Sequence, residues 1–314
     1  MRSAIRRWFA VIRTTALEMS SEPLALMLTL GAVVTVSVTS SLHFHQFGEP
    51  SRMSRDAGLS AMLVFGIFYA VFCTIKVFRR EIESGTLQMA LSHPISRQGF
   101  FFSKVMGAML SYLVFAATVF AVTLTTVIGS EVGALIALRK GDIPLVWSTC
   151  IWLDAAVVLI PLVMGALLDR FAHCRFTTSA TWTAVVSAGA ALIIAAFTAR
   201  SFCAAEFPEL DFGILDTAKR LVPAAVTLVL PMPVFVLAAA AFSVRFKDNA
   251  AAALSGLVAL AALPMLSNYY LSDALAKRGT VPWTHVAVAA AATVPFLVAF
   301  ALAGYLFFRD RDVG

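Results

Sequence analysis

At 314 residues, 60% hydrophobic and only 13% charged, with a mean hydropathy of +0.86, the chain is too apolar for a soluble globular protein, which carries about 25% charged residues. The same figures exclude intrinsic disorder, which needs low hydrophobicity and high net charge. The net charge of +6, from 24 Lys and Arg against 18 Asp and Glu, reports orientation in a membrane here and does not point to nucleic acid.

Residues 1–22 come first. Ile5, Trp8, Phe9, Ile12 and Ala16 recur at helical spacing, with Arg2, Arg6 and Arg13 mostly off that stripe. The pattern predicts a helix lying in the inner membrane interface, apolar side down, before the chain turns up at Pro23. The plainer alternative is a basic flank that sets topology. The apolar run that follows is too long for a signal peptide.

Crossing roughly 30 Å of hydrocarbon at 1.5 Å per residue takes about 20 apolar residues. The charge-free runs are 23–48, 57–75, 105–130, 176–199, 221–244, 249–272 and 279–308, and 143–168 is broken only by Asp154. These predict an all-α polytopic bundle of about eight spans, one membrane domain over 1–314. Six spans plus a re-entrant pair is the alternative, because only Arg245–Asp248 separates 221–244 from 249–272, and Pro223, Pro231, Pro233 and Pro264 interrupt them. With the N-terminus inside, fifteen of the 24 Lys and Arg residues fall in inner segments, which favours both termini in the cytoplasm. Trp147, Trp152 and Trp283 then sit near outer ends and Trp8 near the inner surface, as an aromatic belt requires. The outer loops, about 43–58, 131–146, 200–220 and 273–283, leave no room for a folded ectodomain.

The inner loop 78–104 reads FRREIESGTLQMALSHPISRQGFFFSK. Arg79, Arg80, Glu81 and Glu83 form a charged entry, and Ser84-Gly85-Thr86 offers a turn and a hydroxyl N-cap. Leu87, Met89, Ala90 and Leu91 form a short apolar helix that His93-Pro94 stops, since the residue before proline is pushed out of helical geometry. Ser96 caps the next helix, which enters the membrane through Phe100–Phe102 and Lys104. A helix this short is marginal alone in water, so its Leu and Met side chains predict docking in a groove on something else.

The run Glu83-x-Gly85-Thr86-Leu87-x-x-Ala90-Leu91-x-x-Pro94-Ile95-Ser96-Arg97, followed by Lys104, resembles the signature of ABC-2 type permeases, in particular the NosY-like branch. Ala90 stands where that pattern usually has Leu, and about eight spans exceed the six common in the family. The resemblance implies that residues 84–93 are a cytoplasmic coupling helix, docked in a cleft of a separate ATP-binding subunit. Glu83, Gly85, Thr86, Leu87, Met89, Leu91, Pro94 and Arg97 would be the coupling residues. Leu87, Met89 and Leu91 would be the knobs, and Glu83 would bond near the helix start or pair with a basic residue of the ATPase. The loop Asp169–Thr177 would be a lesser second contact, or a solvated turn. No G-x-x-x-x-G-K-[ST] occurs in the chain, so it holds no cofactor of its own; ATP and Mg would be bound by two copies of the partner ATPase. The resemblance also implies a second permease copy, as homodimer or heterodimer with a paralogue, in the lipid of a bacterial inner membrane.

Asp154 lies about two turns into its span from the outer side. A carboxylate there costs a few kcal/mol and faces protein or water, which reads as part of a translocation path, a proton site, or an interhelical hydrogen bond. His43 and His45 flank Phe44 near Glu49, but two ligands do not make a metal site. Cys73, Cys150, Cys174 and Cys203 contain no CxxC; a Cys150–Cys203 bridge at the outer face is the one pairing worth testing. The leading reading is the permease subunit of an ABC exporter, without enzymatic activity of its own. The alternative is an ATP-independent secondary transporter using Asp154 as its proton or ion site. An intramembrane enzyme lacks any paired carboxylates, His-rich motif or G-x-S-x-G near a membrane surface.

Overall fold

Away from water, a backbone N–H or C=O without a partner costs several kcal/mol, so a chain this apolar must close its hydrogen bonds within each segment. The computed structural model describes residues 2–41, 51–83, 97–140, 145–206, 214–246, 250–258 and 281–309. Among these residues the regular structure is entirely helical. The helices are α1 (Arg2–Ser20), α2 (Pro23–Ser41), α3 (Arg52–Phe68), α4 (Thr74–Glu83), α5 (Arg97–Lys140), α6 (Leu145–Ala172), α7 (Phe176–Glu206), α8 (Ile214–Val229), α9 (Met232–Arg245) and α10 (Trp283–Arg309). A π-helical turn, Tyr69–Cys73, joins α3 to α4.

Six described stretches are long and apolar enough to cross a membrane: Arg52–Arg80, Gly99–Gly133, Thr149–Ala172, Phe176–Ala204, Asp216–Arg245 and Trp283–Phe307. The pair Arg6–Ser20 and Pro23–Val38, bent by 65°, makes a seventh if it is one span. The expected run 221–244 lies within Asp216–Arg245, whereas 249–272 extends beyond residue 258, outside the described residues. The loop expected at 131–146 is helical as far as Lys140. His43 and His45 lie outside the described residues.

Two compact units make up the chain. The first comprises Met1–Ala25, Gly66–Leu113 and Val226–Gly314. Its centre is α9, where Phe235, Val236 and Ala238–Ala241 are all buried, and α9 packs against α10, α4 and the π turn. α1 rests on α4 and on the start of α5. At Gly107 an added Cβ would lie 2.7 Å from the Ile12 carbonyl oxygen and 2.7 Å from the Thr15 Cβ, so only glycine lets α1 come this close. The side of α1 facing the protein is therefore Thr15 and Met19, while Trp8 and Phe9 of the predicted stripe are exposed together with Arg6 and Arg13. α1 ends where the Ser20 and Ser21 hydroxyls bond back to the Leu17 and Glu18 carbonyls, and Pro23 then opens α2, where its missing N–H costs nothing. The prolines do not all act alike. Pro161, Pro223 and Pro295 sit inside helices, whereas Leu230–Pro231 forms the break between α8 and α9.

The second unit comprises Leu26–Phe65 and Val114–Ala225. Here α6 and α7 run antiparallel through a turn of three residues, 173–175. His173 takes a left-handed conformation, and the Cys174 N–H reaches the Leu168 carbonyl at 3.3 Å. On α7 the residues Ala180, Ala184, Ala188, Ala191, Ala195 and Ala199 are each buried, three or four apart. They form the small-residue stripe that lets membrane helices pack closely without a hydrophobic driving force between them. At the far end Cys150 and Cys203 share a cluster with Ile128, Val132, Ala195 and Ala199, both as free thiols, without the bridge considered above. Threonines inside α5 avoid exposing hydroxyls to hydrocarbon by bonding back one turn: Thr118 to Val114 at 2.8 Å and Thr123 to Val119 at 2.8 Å. Across helices, Thr217 donates to Glu131 at 2.9 Å.

Close packing at Gly129 is testable. An added Cβ would stand 2.7 Å from the Cys150 Cβ, so Gly129→Val should cost about 1–3 kcal/mol, read as a lower thermal midpoint of the purified protein. Gly189 has nothing within 4 Å, and Gly189→Ala should hold or raise the midpoint, by up to about 1 kcal/mol.

Candidate functional site

Most of the residues singled out by the motif, Gly85, Thr86, Leu87, Met89, Leu91 and Pro94, fall in 84–96, outside the described residues. Arg97 opens α5, and its side chain is also outside them. What is described is how the two feet of that loop are held. α4 remains helical to Glu83, so the charged entry is the last turns of a helix and not the start of a loop.

The α4 foot is gripped by charges on two sides. Lys76 Nζ lies 2.8 Å from Glu22 Oε2, and Arg80 Nη1 lies 3.4 Å from Glu22 Oε1. Glu22 is buried at the bend between α1 and α2, while Lys76 and Arg80 are half-exposed. One turn of α4 separates the two cations, so a single carboxylate can take both. Arg79 points elsewhere: its Nε donates to Glu83 Oε1 at 3.1 Å and its Nη1 to the Phe246 carbonyl, just past α9, at 3.3 Å. Glu83, expected to pair at the start of the loop helix or with the ATPase, is thus engaged by its own helix while remaining 63% exposed.

The α5 foot is held by aromatic packing. Phe78 of α4 meets Phe101 of α5 edge-on, with ring centroids 5.9 Å apart. Lys104 Nζ lies 5.2 Å from the Phe78 ring centroid and 5.7 Å from that of Phe100. The sequence places Lys104 where the helix enters the membrane. The structure adds that Lys104 is 2% exposed, held over two ring faces that attract a cation more strongly once it is desolvated. Gly304 of α10 closes the cluster, since a Cβ there would come within 2.6 Å of the Phe101 ring.

One step deeper lies the π turn. Tyr69 and Ser111 share a hydrogen bond of 2.8 Å, and the Tyr69 and Tyr112 rings meet at 6.5 Å. Thr74, which follows the turn, is fully buried, and its hydroxyl finds no partner among the described residues. A π turn shifts the azimuth of every later residue, so it sets which faces of α4 meet Glu22 and α5. Nothing in residue spacing announced it.

Asp154 belongs to the second unit, on α6, and is 2% exposed, whereas its neighbour Trp152 is 75% exposed. It therefore faces protein, as an ionisable group within a span must. The turn 173–175, the proposed lesser contact, is exposed. Among the described residues, no group of three or more His, Cys, Asp and Glu comes together to hold a metal ion.

Glu22 is the residue that sequence reasoning passed over. Its signal was a carboxylate set directly before Pro23, but its partners lie 54 and 58 residues on, and nothing local names them.

Residues 19–173 match the family model described as ABC-2 family transporter protein. The matched stretch takes in Glu22, the loop 84–96 with both its feet, and Asp154. No curated protein and no solved structure matches the chain. The apolar helices support a multi-pass membrane protein, and just under half of the chain, residues 19–173, is similar to ABC-2 family transporter proteins.

Proposed function

We propose that this chain is the membrane subunit of an ABC exporter of the ABC-2 type, in a bacterial inner membrane with both termini cytoplasmic. In this reading two copies of a separate ATPase bind ATP and Mg, and their closure pushes on residues 84–93. Two permease copies, identical or paralogous, face each other. No chemistry is done on the cargo in this chain; the free energy comes from the ATPase cycle, and the spans switch between inward- and outward-open states. The NosY-like motif is the finer resemblance, and it leaves room for a mechanical role in which the permease drives a partner instead of moving a solute.

The single observation that carries this reading is the family match over 19–173, which encloses a motif-bearing loop between two braced helices. A loop that transmits a push needs stiff feet. Here α4 is tied by three basic side chains and α5 by a buried lysine in an aromatic cluster. Force delivered to 84–93 would enter packed helices and not be absorbed by slack chain.

The test is affinity purification of the chain from its native membrane, with mass spectrometry and an ATPase assay of what co-purifies. Leu87→Asp and Leu91→Asp place a charge where an apolar knob docks and should each weaken the complex by about 2–3 kcal/mol, roughly 30- to 150-fold. Wild type should bring down an ATP-binding subunit that both variants lose. If wild type brings down none, the reading is wrong.

The burial of Asp154 within a span is what favours the second reading, a carrier coupled to protons or ions. Proteoliposomes loaded with a pH-sensitive dye separate the two. Under the ABC reading, wild type and Asp154→Asn show the same proton flux without ATP. A flux present in wild type and abolished in Asp154→Asn would support the carrier.

A further inference from the structure

Of the groups that the proposed docking does not use, Glu22 is the one the structure has built around. Its side chain is 8% exposed, yet its carboxylate bridges two cations one turn apart on α4, at 2.8 Å and 3.4 Å. It also sits on the corner of the chain. Its N–H donates to the Met19 carbonyl at 3.3 Å, and its own carbonyl accepts from the Ala25 N–H at 3.0 Å. The side chain is therefore fastened to α4, and the backbone belongs to the 65° bend between α1 and α2. A displacement of α4 cannot leave that corner where it was unless the ion pair breaks.

α1 also bears on the other foot of the loop. The Ile12 carbonyl and Thr15 lie against Gly107, ten residues into α5, at a spacing that excludes even a methyl group. α1 thus spans both feet: α4 through a charge bridge at its end, α5 through direct backbone contact at its middle. An anchor that served only to keep α1 on the bundle could use apolar contact alone, as the Gly107 contact does. A covered carboxylate with two cationic partners is costly to desolvate, and its gain over an apolar contact is directional, because it fixes which point of α4 moves with the corner.

We infer that Glu22 is a coupling residue, which yokes the N-terminal interfacial helix to α4 so that a push on the 84–96 loop tilts α1 and bends the α1–α2 corner. This rests on the permease reading above and adds a second output to it. The tilt of α1 is that output, carried through Glu22 as well as through the loop's own helices. Glu22 acts through Lys76 and Arg80, so it is a positioning residue, and its signature is a lost response to nucleotide and not merely lost stability.

The experiment uses the complex with its co-purified ATPase, in nanodiscs of native lipid. Cys174, the exposed thiol, is replaced by Ser, and Glu18→Cys places a reporter on the exposed side of α1. Maleimide labelling is timed without nucleotide and with ATP plus vanadate. With Glu22 present, the labelling rate should differ about fivefold between the two states, the low end of measured coupling between sites. In Glu22→Gln the difference should vanish while the ATPase stays bound. The same loss is expected in Lys76→Gln with Arg80→Gln, whose half-exposed side chains make that pair the variant to use if Glu22→Gln does not fold. Reversing all three charges, Glu22→Arg with Lys76→Glu and Arg80→Glu, should restore the response. A response unchanged by breaking the pair, or one that charge reversal fails to restore in a complex that still holds the ATPase, overturns this inference alone. A wild-type preparation with no ATPase overturns the permease reading, and the yoke falls with it.

Discussion

The absence of water around most of this chain is the constraint on which the rest depends. A backbone group in hydrocarbon must find its partner within its own helix, and a side-chain hydroxyl does best by bonding back one turn, as Thr118 and Thr123 do. Under that rule, polar groups that reach across helices are exceptions with a cost, and they mark the places where geometry has been set on purpose. Examples are Glu22 with Lys76 and Arg80, Tyr69 with Ser111, Arg79 with the Phe246 carbonyl, and Thr217 with Glu131. The first three concern helices that carry the loop 84–96 or follow directly on the π turn. These three and both feet of the motif-bearing stretch lie in the first unit.

The remaining packing is achieved with size. Lipid tails are as apolar as leucine, so burying large side chains does little to bring membrane helices together, and close approach of small residues does more. Ala180 to Ala199 supply that along α7, and Gly129 and Gly107 supply it at single points. In the first unit, α9 is buried along most of its length, with Ala238 to Ala241 fully buried, and other helices close around it. By contrast, Leu159, Val163 and Phe171 of α6 and Val294, Val298 and Leu302 of α10 face outward, the surface a lipid-embedded helix presents.

The two grips on the loop differ in kind, and the difference suits the proposed role. Around Lys104 the contact is non-directional, made of ring faces and edges that tolerate small rotations. At Glu22 it is directional, one carboxylate between two cations. Both brace their helices against slack, and the directional one would in addition carry α1 with any movement of α4.

Much was legible in the sequence because it depends on local order. Gaps between charges located the spans, since a helix needs about 20 apolar residues to cross. Spacing of three and four located α1, and the Glu83–Arg97 run singled out the loop and pointed to the family later matched over 19–173. Orientation of side chains was not legible. Lys104 reads as part of the entry of a helix into the membrane and proves to be buried over two rings, and Glu22 reads as a flank of Pro23 and proves to hold two cations. The alanines of α7 read as bland span sequence and prove to be a packing stripe. Each of these depends on the azimuth of one helix against another, and the π turn at Tyr69–Cys73 resets that azimuth for all of α4. By itself the sequence determined which stretches are long and apolar enough to cross a membrane and which loop stands out, because hydrophobicity and turn chemistry act within a few residues. Only the tertiary structure decided which charges meet, because partners more than fifty residues apart are brought together by helix packing and not by any pattern between them.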